Sequence, residues 1–147
     1  MERTYNLNEL AMMTGFTTRT LRSYLIQGLL HGSKVNGAWQ FTPEDLDRFF
    51  SEPFVRDGLR IKRNNAVYDF LADRKKQSPR ACVVLDLPAS AEEGREISAF
   101  FCAQMNAAHD ANFTFDRNGG VCRVILTGAQ EQVAKIMQAY EAQKSEH

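Results

Sequence analysis

Two short segments of this 147-residue sequence are rich in hydroxyl, amide and basic side chains. They are "TTRTLRSY" and, a few residues later, "HGSKVNGAW". Arginine forks can read a guanine edge, hydroxyl and amide groups can bond bases or phosphates, and lysine neutralises phosphate. Recognition of nucleic acid is the chemistry that these residue types share. The candidate DNA-binding residues are Thr17, Thr18, Arg19, Arg22, Ser23, Tyr24, Lys34, Asn36 and Trp39.

These candidates have different predicted roles. Arg19 lies in the first turn of a predicted helix, where a recognition helix meets base edges, so it is the best candidate for a guanine contact. Arg22 and the Tyr24 hydroxyl are better placed for phosphate. Lys34 and Asn36 could reach a neighbouring stretch of backbone or minor groove. In the competing interpretation the two arginines are ordinary solvated charges, and Trp39 could equally pack beneath its own hairpin.

Two short helices are predicted around the first of these segments. Asn6 can cap the first, and Gly15 can end it in a left-handed conformation. Thr17 can cap a second helix that runs to about Gln27, and its leucines recur at helical spacing on one face. The polar, basic face of the second helix then points away from the core. This pattern predicts a helix-turn-helix.

The next segment predicts a wing. Residues 28–42 contain a glycine stop, a polar tip and the alternating "AWQF", which is typical of a two-stranded hairpin. Thr42 and Pro43 then favour a new helix start, with Leu46, Phe49 and Phe50 on its buried side. Helix-turn-helix, hairpin and helix together indicate a mainly α winged helix.

The ordered motifs "LNELA", "TGF", "TLRSY", "GLL" and "FTPEDL" fall between Tyr5 and Phe50. Together they resemble the DNA-binding domain of MerR-type transcriptional regulators and the related excisionase-like winged helices. The resemblance implies double-stranded promoter DNA as the partner. It also implies a homodimer held by a long helix after the winged domain, paired antiparallel with its copy.

Two features depart from the family pattern. The wing strand reads "AWQF" where the family usually has an arginine and a second aromatic, which leans toward the excisionase-like branch. Pro53 and Gly58 are expected to interrupt the helices that follow residue 50.

Residues 59–78 are predicted to form a connecting or dimerisation helix after a DNA-binding domain of residues 1–58. The helix itself is expected over Asn64–Gln77, with Val67, Phe70 and Leu71 on one face and Ser78-Pro79 closing it. The cluster "RIKR" at residues 60–63 is interpreted as a solvated helix start, with added phosphate contacts as the alternative.

Residues 79–147 predict a small α+β unit of order β-α-β-β-α, like a ferredoxin-type fold without its last strand. Strands are expected over Ala81–Leu87 and on both sides of Gly119-Gly120, and a helix over Ala91–His109. The helices are expected on one face of the sheet. The missing strand would leave Ala81–Leu87 as an apolar edge, so this edge or the open sheet face is expected to pair with a second subunit.

The unit is therefore interpreted as a dimerisation domain or a site for a small-molecule effector. The helix-free face of its sheet is expected to carry an apolar surface that could take the effector. Its members would be Cys82, Val84, Phe113 or Phe115, and either Val124 or Val121.

Composition narrows the function classes. The net charge is zero, but residues 1–78 carry 12 Lys/Arg against 9 Asp/Glu and the rest carry 6 against 9, so a nucleic-acid contact belongs to the first half. No apolar run or leader suggests a membrane or secretion, and three unpaired cysteines suit a cytoplasmic protein. They are interpreted as small core residues, with a thiol switch at Cys82 or Cys122 as the alternative. We find no catalytic, metal-ligand or cofactor motif.

The sequence thus predicts a bacterial-type transcriptional regulator that is not an enzyme and needs no cofactor or metal. Two other functions stay open. One is an excisionase-like architectural factor, against which the acidic second half weighs. The other is a protein-interaction adaptor that has lost DNA binding, which the zero net charge and the missing wing arginine favour.

Overall fold

The computed structural model describes residues 3–145 and folds them into six helices and five strands. In chain order these are α1 (Leu7–Thr14), α2 (Thr18–Gln27), β1 (Ser33–Val35), β2 (Ala38–Gln40), α3 (Pro43–Phe50), α4 (Pro53–Ala72), β3 (Arg80–Pro88), α5 (Ala91–Ala107), β4 (Ala111–Asn118), β5 (Val121–Ala129) and α6 (Gln130–Ser145). Helices α1 to α4 and the β1–β2 hairpin come first. A three-stranded sheet with α5 and α6 follows.

The predicted helix-turn-helix is confirmed, and local hydrogen bonds explain its boundaries. The Asn6 side chain accepts from the Glu9 amide at 2.7 Å, while the Glu9 carboxylate accepts from the Asn6 amide at 2.9 Å. This capping box starts α1, and Gly15 ends the helix at a φ of 80°. The Thr17 hydroxyl accepts from the Thr20 amide at 3.1 Å and starts α2.

The predicted wing is also present. Strands β1 and β2 pair antiparallel around Asn36 and Gly37, whose φ values of 53° and 81° are those of a tight hairpin turn. An isolated bridge between Tyr5 and Phe41 joins the start of the chain to the end of the wing. Thr42 then caps α3, as predicted.

Helix α4 corrects two predictions. It runs unbroken over Pro53–Ala72, so Pro53 and Gly58 do not interrupt it, and the expected bounds of Asn64–Gln77 are wrong. Pro53 occupies the first turn, where its missing N–H costs nothing. A Cβ at residue 58 would lie 3.1 Å from the Phe16 ring, so the glycine makes room for a core side chain. The basic segment of residues 60–63 therefore lies inside a helix and does not start one.

The second half has the predicted β-α-β-β-α order. Its sheet has the strand order β3-β5-β4, and both neighbouring pairs are antiparallel. Strand β3 lies at an edge, as predicted. The likeness to a ferredoxin-type unit stays a prediction.

The expected composition of the open sheet face is wrong in part. The Phe113 ring lies 6.1 Å from the Phe101 ring of α5, and the Phe115 ring lies 5.7 Å from the Phe50 ring of α3. Val124 pairs with Phe115 and shares its side of the sheet. These side chains belong to the covered face because cross-strand partners point the same way.

The other face carries Cys82, Val84 and Val121 of the predicted set. It is charged as well as apolar, because the salt bridge between Asp86 and Arg123 also lies on it. Nor is it free of helices: Arg56 and Arg63 of α4 both bond Asp116 there. The expectation that helices cover only one face is therefore wrong.

The two halves of the chain share one hydrophobic core. Tyr5 Oη lies 3.2 Å from Ser98 Oγ, and the Cys102 thiol donates to the Glu9 carboxylate at 3.1 Å. The winged helix therefore sits directly against α5 and β4. The predicted division into residues 1–58, 59–78 and 79–147 stays a prediction.

Candidate nucleic-acid interface

Helix α2 presents a polar and basic face to solvent. Leu21 is fully buried and anchors the helix, whereas Arg19, Arg22 and Ser23 are exposed. Thr18 is half-buried at the start of the helix. Because the buried and exposed residues follow the helical repeat, packing of the core fixes the direction in which the arginines point.

The α2 arginines differ from most arginines elsewhere in the chain. Arg56, Arg80 and Arg123 each bond a carboxylate through two nitrogens. Within residues 3–145, Arg19 and Arg22 have no such carboxylate partner. Their charges are therefore available to an anionic partner.

The wing adds a second basic group. Lys34 is exposed, and its Nζ lies 5.2 Å from the centre of the Trp39 ring. Trp39 is half-buried and stacks on Phe41 with ring centres 6.3 Å apart and planes 14° apart. Asn36 is exposed at the tip of the hairpin. Trp39 therefore supports the wing and holds Lys34, which agrees with the packing interpretation.

A concave surface joins α2 to the wing. It encloses about 390 Å³ and is lined by Arg22, Leu25, Ile26, Lys34 and Trp39. The structure thus brings a basic residue of the helix and a basic residue of the wing onto one surface.

Sequence reasoning missed Ile26. Its side chain is 87% exposed on α2, beside Arg22 in the same concave surface. An exposed isoleucine at this position is suited to an apolar contact, such as with a thymine methyl group in a major groove. The available signal in the sequence was that Ile26 lies outside the face on which Leu21 and Leu25 recur.

Tyr24 is mainly a packing residue. Its half-buried ring meets Phe16 at 5.5 Å, Phe49 at 6.0 Å and Phe54 at 6.3 Å between centres. This aromatic cluster fixes α2 against α3 and α4. The predicted phosphate contact of its hydroxyl stays a prediction.

The environments of the three cysteines are those of core residues and disfavour a reactive thiol. Burial and the hydrogen bond to Glu9 raise the pKa of Cys102 to about 12. Burial also raises the pKa of Cys122, which is buried, and of Cys82, which is half-buried. Raised pKa values leave little thiolate at neutral pH, which disfavours a thiol switch.

No group of three or more His, Cys, Asp or Glu side chains in the described part of the chain could hold a metal ion. Among the helices of residues 3–145, none combines the length and apolarity that a membrane crossing requires.

Comparison with known proteins identifies the first third of the chain. Residues 5–50 match the family described as MerR HTH family regulatory protein. No curated protein and no solved structure matches the chain. The matched range covers α1, α2, the wing and α3, which are the elements that build the basic surface described above. Residues 5–50 are therefore similar to the helix-turn-helix domain of the MerR regulatory family.

Proposed function

We propose that this protein is a sequence-specific transcriptional regulator of the MerR type that binds promoter DNA as a dimer. One observation carries the proposal: Arg19 and Arg22 stand exposed on the second helix of a MerR-type domain, without a carboxylate partner among residues 3–145. The proposal includes no catalytic activity. A cytoplasmic location is part of it.

In this proposal α2 enters the major groove by its N-terminal turn. Arg19 donates two hydrogen bonds to a guanine, and the hydroxyl groups of Thr17 and Thr18 contact bases or sugar-phosphate nearby. Arg22 and Ser23 lie one turn further along and contact phosphate. Base contacts then set the sequence, while phosphate contacts set the position.

The wing contacts the flanking backbone. Lys34 neutralises a phosphate, and Asn36 at the hairpin tip reaches the adjacent sugar-phosphate or minor groove. Trp39 acts through Lys34, because its ring holds the ammonium group in place. The wing therefore contributes affinity more than sequence preference.

A dimer follows from the small size of one winged helix, which makes few contacts by itself. Two copies on a two-fold site would read half-sites about 34 Å apart. The family resemblance implies that a helix after the winged domain holds such a dimer. The corresponding helix here, α4, exposes Ile61, Tyr68 and Leu71.

The second unit is proposed as a dimerisation domain that could also sense a small molecule. A cleft next to α4 encloses about 560 Å³ and is lined mainly by arginine and aspartate side chains, among them Arg60 and Arg123. The cleft lies between α4 and the sheet, so a polar effector there would act on the helix that follows the winged domain. A small molecule that co-purifies with the protein and occupies this cleft would identify the effector.

Selection of bound DNA from a genomic library tests the proposal. We expect wild type to enrich one motif. Arg19→Ala should weaken binding to that motif about 5- to 150-fold and relax the preference at one base position. Arg22→Ala should weaken binding to all sequences and lower the slope of log affinity against log salt by about 1. Lys135→Ala, an exposed change in α6, is the matched control and should alter neither.

The same selection separates the other functions. Bound and bent DNA without a preferred motif would indicate the excisionase-like architectural factor, which the wing sequence "AWQF" keeps in view. Wild type that retains no DNA would contradict the proposal and favour the protein-interaction adaptor.

A further inference from the structure

Strand β3 is an edge strand with an open side. It is nine residues long and pairs only with β5 among the strands that the structure describes. Val84 in its centre is 49% exposed. At the opposite edge, α1 packs against β4. Open apolar edges are rarely left bare, because their unpaired N–H and C=O groups invite another strand.

The hydrogen bonds at the two ends of the β3–β5 pair show which backbone groups face outward. The Ala89 amide donates to the Gly120 carbonyl at 2.9 Å, and the Gln130 amide donates to the Pro79 carbonyl at 3.0 Å. In an antiparallel pair, every second residue bonds the same neighbour. Odd-numbered residues of β3 therefore bond β5, and even-numbered residues point their N–H and C=O groups to the open side.

The residues whose backbone N–H and C=O groups both point to the open side are Arg80, Cys82, Val84 and Asp86. The next outward position is Pro88, which has no N–H to donate. A proline at that position ends any ladder on the open side without disturbing the β3–β5 pair. The usable edge is therefore the segment from residue 80 to residue 86.

We propose that a second copy of this chain pairs with β3 by its own β3, antiparallel, about a two-fold axis through Val83. This register places Arg80 opposite the second copy's Asp86, and Cys82 opposite the second copy's Val84. Each pair occurs twice. The two three-stranded sheets become one sheet of six strands.

Charge and apolar complementarity select this register. With the axis at Val83, Arg80 lies opposite an aspartate of the second copy, and the apolar Cys82 lies opposite an apolar valine. Moving the axis to Val84 would set Asp86 against Cys82 and Arg80 against Pro88. Moving it to Cys82 would set Arg80 against Val84. Only the first register sets both Arg80 and Asp86 opposite a residue of the opposite charge.

In the joined sheet, the charged side chains that lie in one row across the strands would alternate in sign. Arg80 already bonds Asp110, and Asp86 bonds Arg123 at 2.7 Å. In the dimer the order becomes Asp110, Arg80, the second copy's Asp86 and the second copy's Arg123. No like charges adjoin.

The inference deepens the proposed function, since it names the surface that holds the proposed dimer. Pairing of the two β3 strands does not require bound DNA, so the proposed interface and the proposed function can be disproved independently. The competing surface is the exposed side of α4, with Tyr68 and Leu71.

The first test blocks the open edge without touching the inner ladder. In Val84→Pro the missing N–H and the proline ring face outward, so the chain should keep its circular dichroism spectrum but sediment as a monomer. Val84→Ala is the matched control and should remain a dimer. A folded Val84→Pro variant that remains a dimer, or wild type that is a monomer at high concentration, would overturn the proposal.

Cross-linking decides the matter if Val84→Pro does not fold. In a Cys82→Ser background, Val83→Cys would face its own copy across the axis in a non-hydrogen-bonded pair, with Cα atoms about 4.5 Å apart. That spacing allows a disulfide. We expect mild oxidation to give a covalent dimer, whereas Leu87→Cys in the same background should not. Absence of the Val83→Cys cross-link would refute the register.

Two further measurements separate this inference from its alternatives. Leu71→Glu should leave the dimer intact, and a monomer would move the interface to α4. A dimer that loses its association with Val84→Pro but never binds DNA would support the edge and refute the regulator. If the protein binds DNA as a dimer and Val84→Pro leaves that dimer intact, the regulator is supported and the β3 interface is refuted.

Discussion

At the scale of single residues, Asp116 is a buried carboxylate held by two arginines of α4. Its side chain is only 2% exposed, and it accepts hydrogen bonds from Arg56 at 2.6 and 2.9 Å and from Arg63. Burial lowers the pKa of Arg63, against the attraction of Asp116. The carboxylate thus compensates two cations that are partly removed from water, and it fastens α4 to β4.

Asp116→Asn should lower the free energy of unfolding by about 3 kcal/mol, because a buried pair that loses one partner leaves uncompensated charge. Denaturant unfolding at pH 7 measures the change. Glu131→Gln, which breaks an exposed pair with Lys135 on α6, is the control and should cost less than about 0.5 kcal/mol. Equal effects of the two substitutions would show that burial of Asp116 has no energetic consequence.

At the scale of elements, the β4–β5 hairpin depends on a close backbone approach at Gly128. This glycine lies opposite Ala111 in the register. A Cβ at residue 128 would collide with the Asp110 carbonyl oxygen and lie 2.8 Å from the Ala111 Cα. Both neighbours are backbone atoms, so they cannot move aside as a flexible side chain could.

We therefore expect Gly128→Ala to lower the free energy of unfolding by about 3 kcal/mol, at the upper end of the cost of overpacking. Gly119→Ala at the tip of the hairpin is the comparison. It has open space around it and should cost about 1 kcal/mol for its positive φ alone. Thermal or denaturant unfolding ranks the two. A smaller loss at residue 128 than at residue 119 would contradict the packing argument.

At the scale of the whole molecule, the winged helix and the sheet unit pack into one hydrophobic core. Phe50 of α3 meets Phe115 of β4, and Tyr5 reaches Ser98 of α5. Arg95 of α5 also bonds Asp47 of α3 at 2.9 Å. Because these contacts cross the boundary between the halves, neither half buries its core alone.

Unfolding should consequently be a single transition. Trp39 is the only tryptophan in the chain and reports on the wing, whereas far-ultraviolet circular dichroism reports on all elements. The two probes should give the same denaturant midpoint. Phe115→Ala, a change in the sheet unit, should lower the Trp39 midpoint as well, with a loss of about 3–5 kcal/mol. An unchanged Trp39 transition in this variant would show two independent domains.

Local patterns predicted the winged helix well and the connection after it poorly. The caps at Asn6, Thr17 and Thr42 are hydrogen bonds between residues three apart, so the sequence alone contains both partners. The behaviour of Gly58 depends instead on Phe16, a residue 42 positions earlier that packs against it. The propensity of glycine alone predicts a break in the helix at residue 58, whereas the distant contact with Phe16 determines its actual role.

The order of the elements, the buried face of α2 and the basic character of its exposed face are all predictable from the sequence, because they follow from periodicity and capping within a few residues. Long-range packing determines which arginines stay exposed to a binding partner and which form ion pairs within the molecule. Arg63 lies in a basic string as suggestive as that of Arg22, yet it bonds Asp116, 53 residues away. Ion pairing of this kind depends on how α4 meets the sheet, and no local pattern specifies that arrangement.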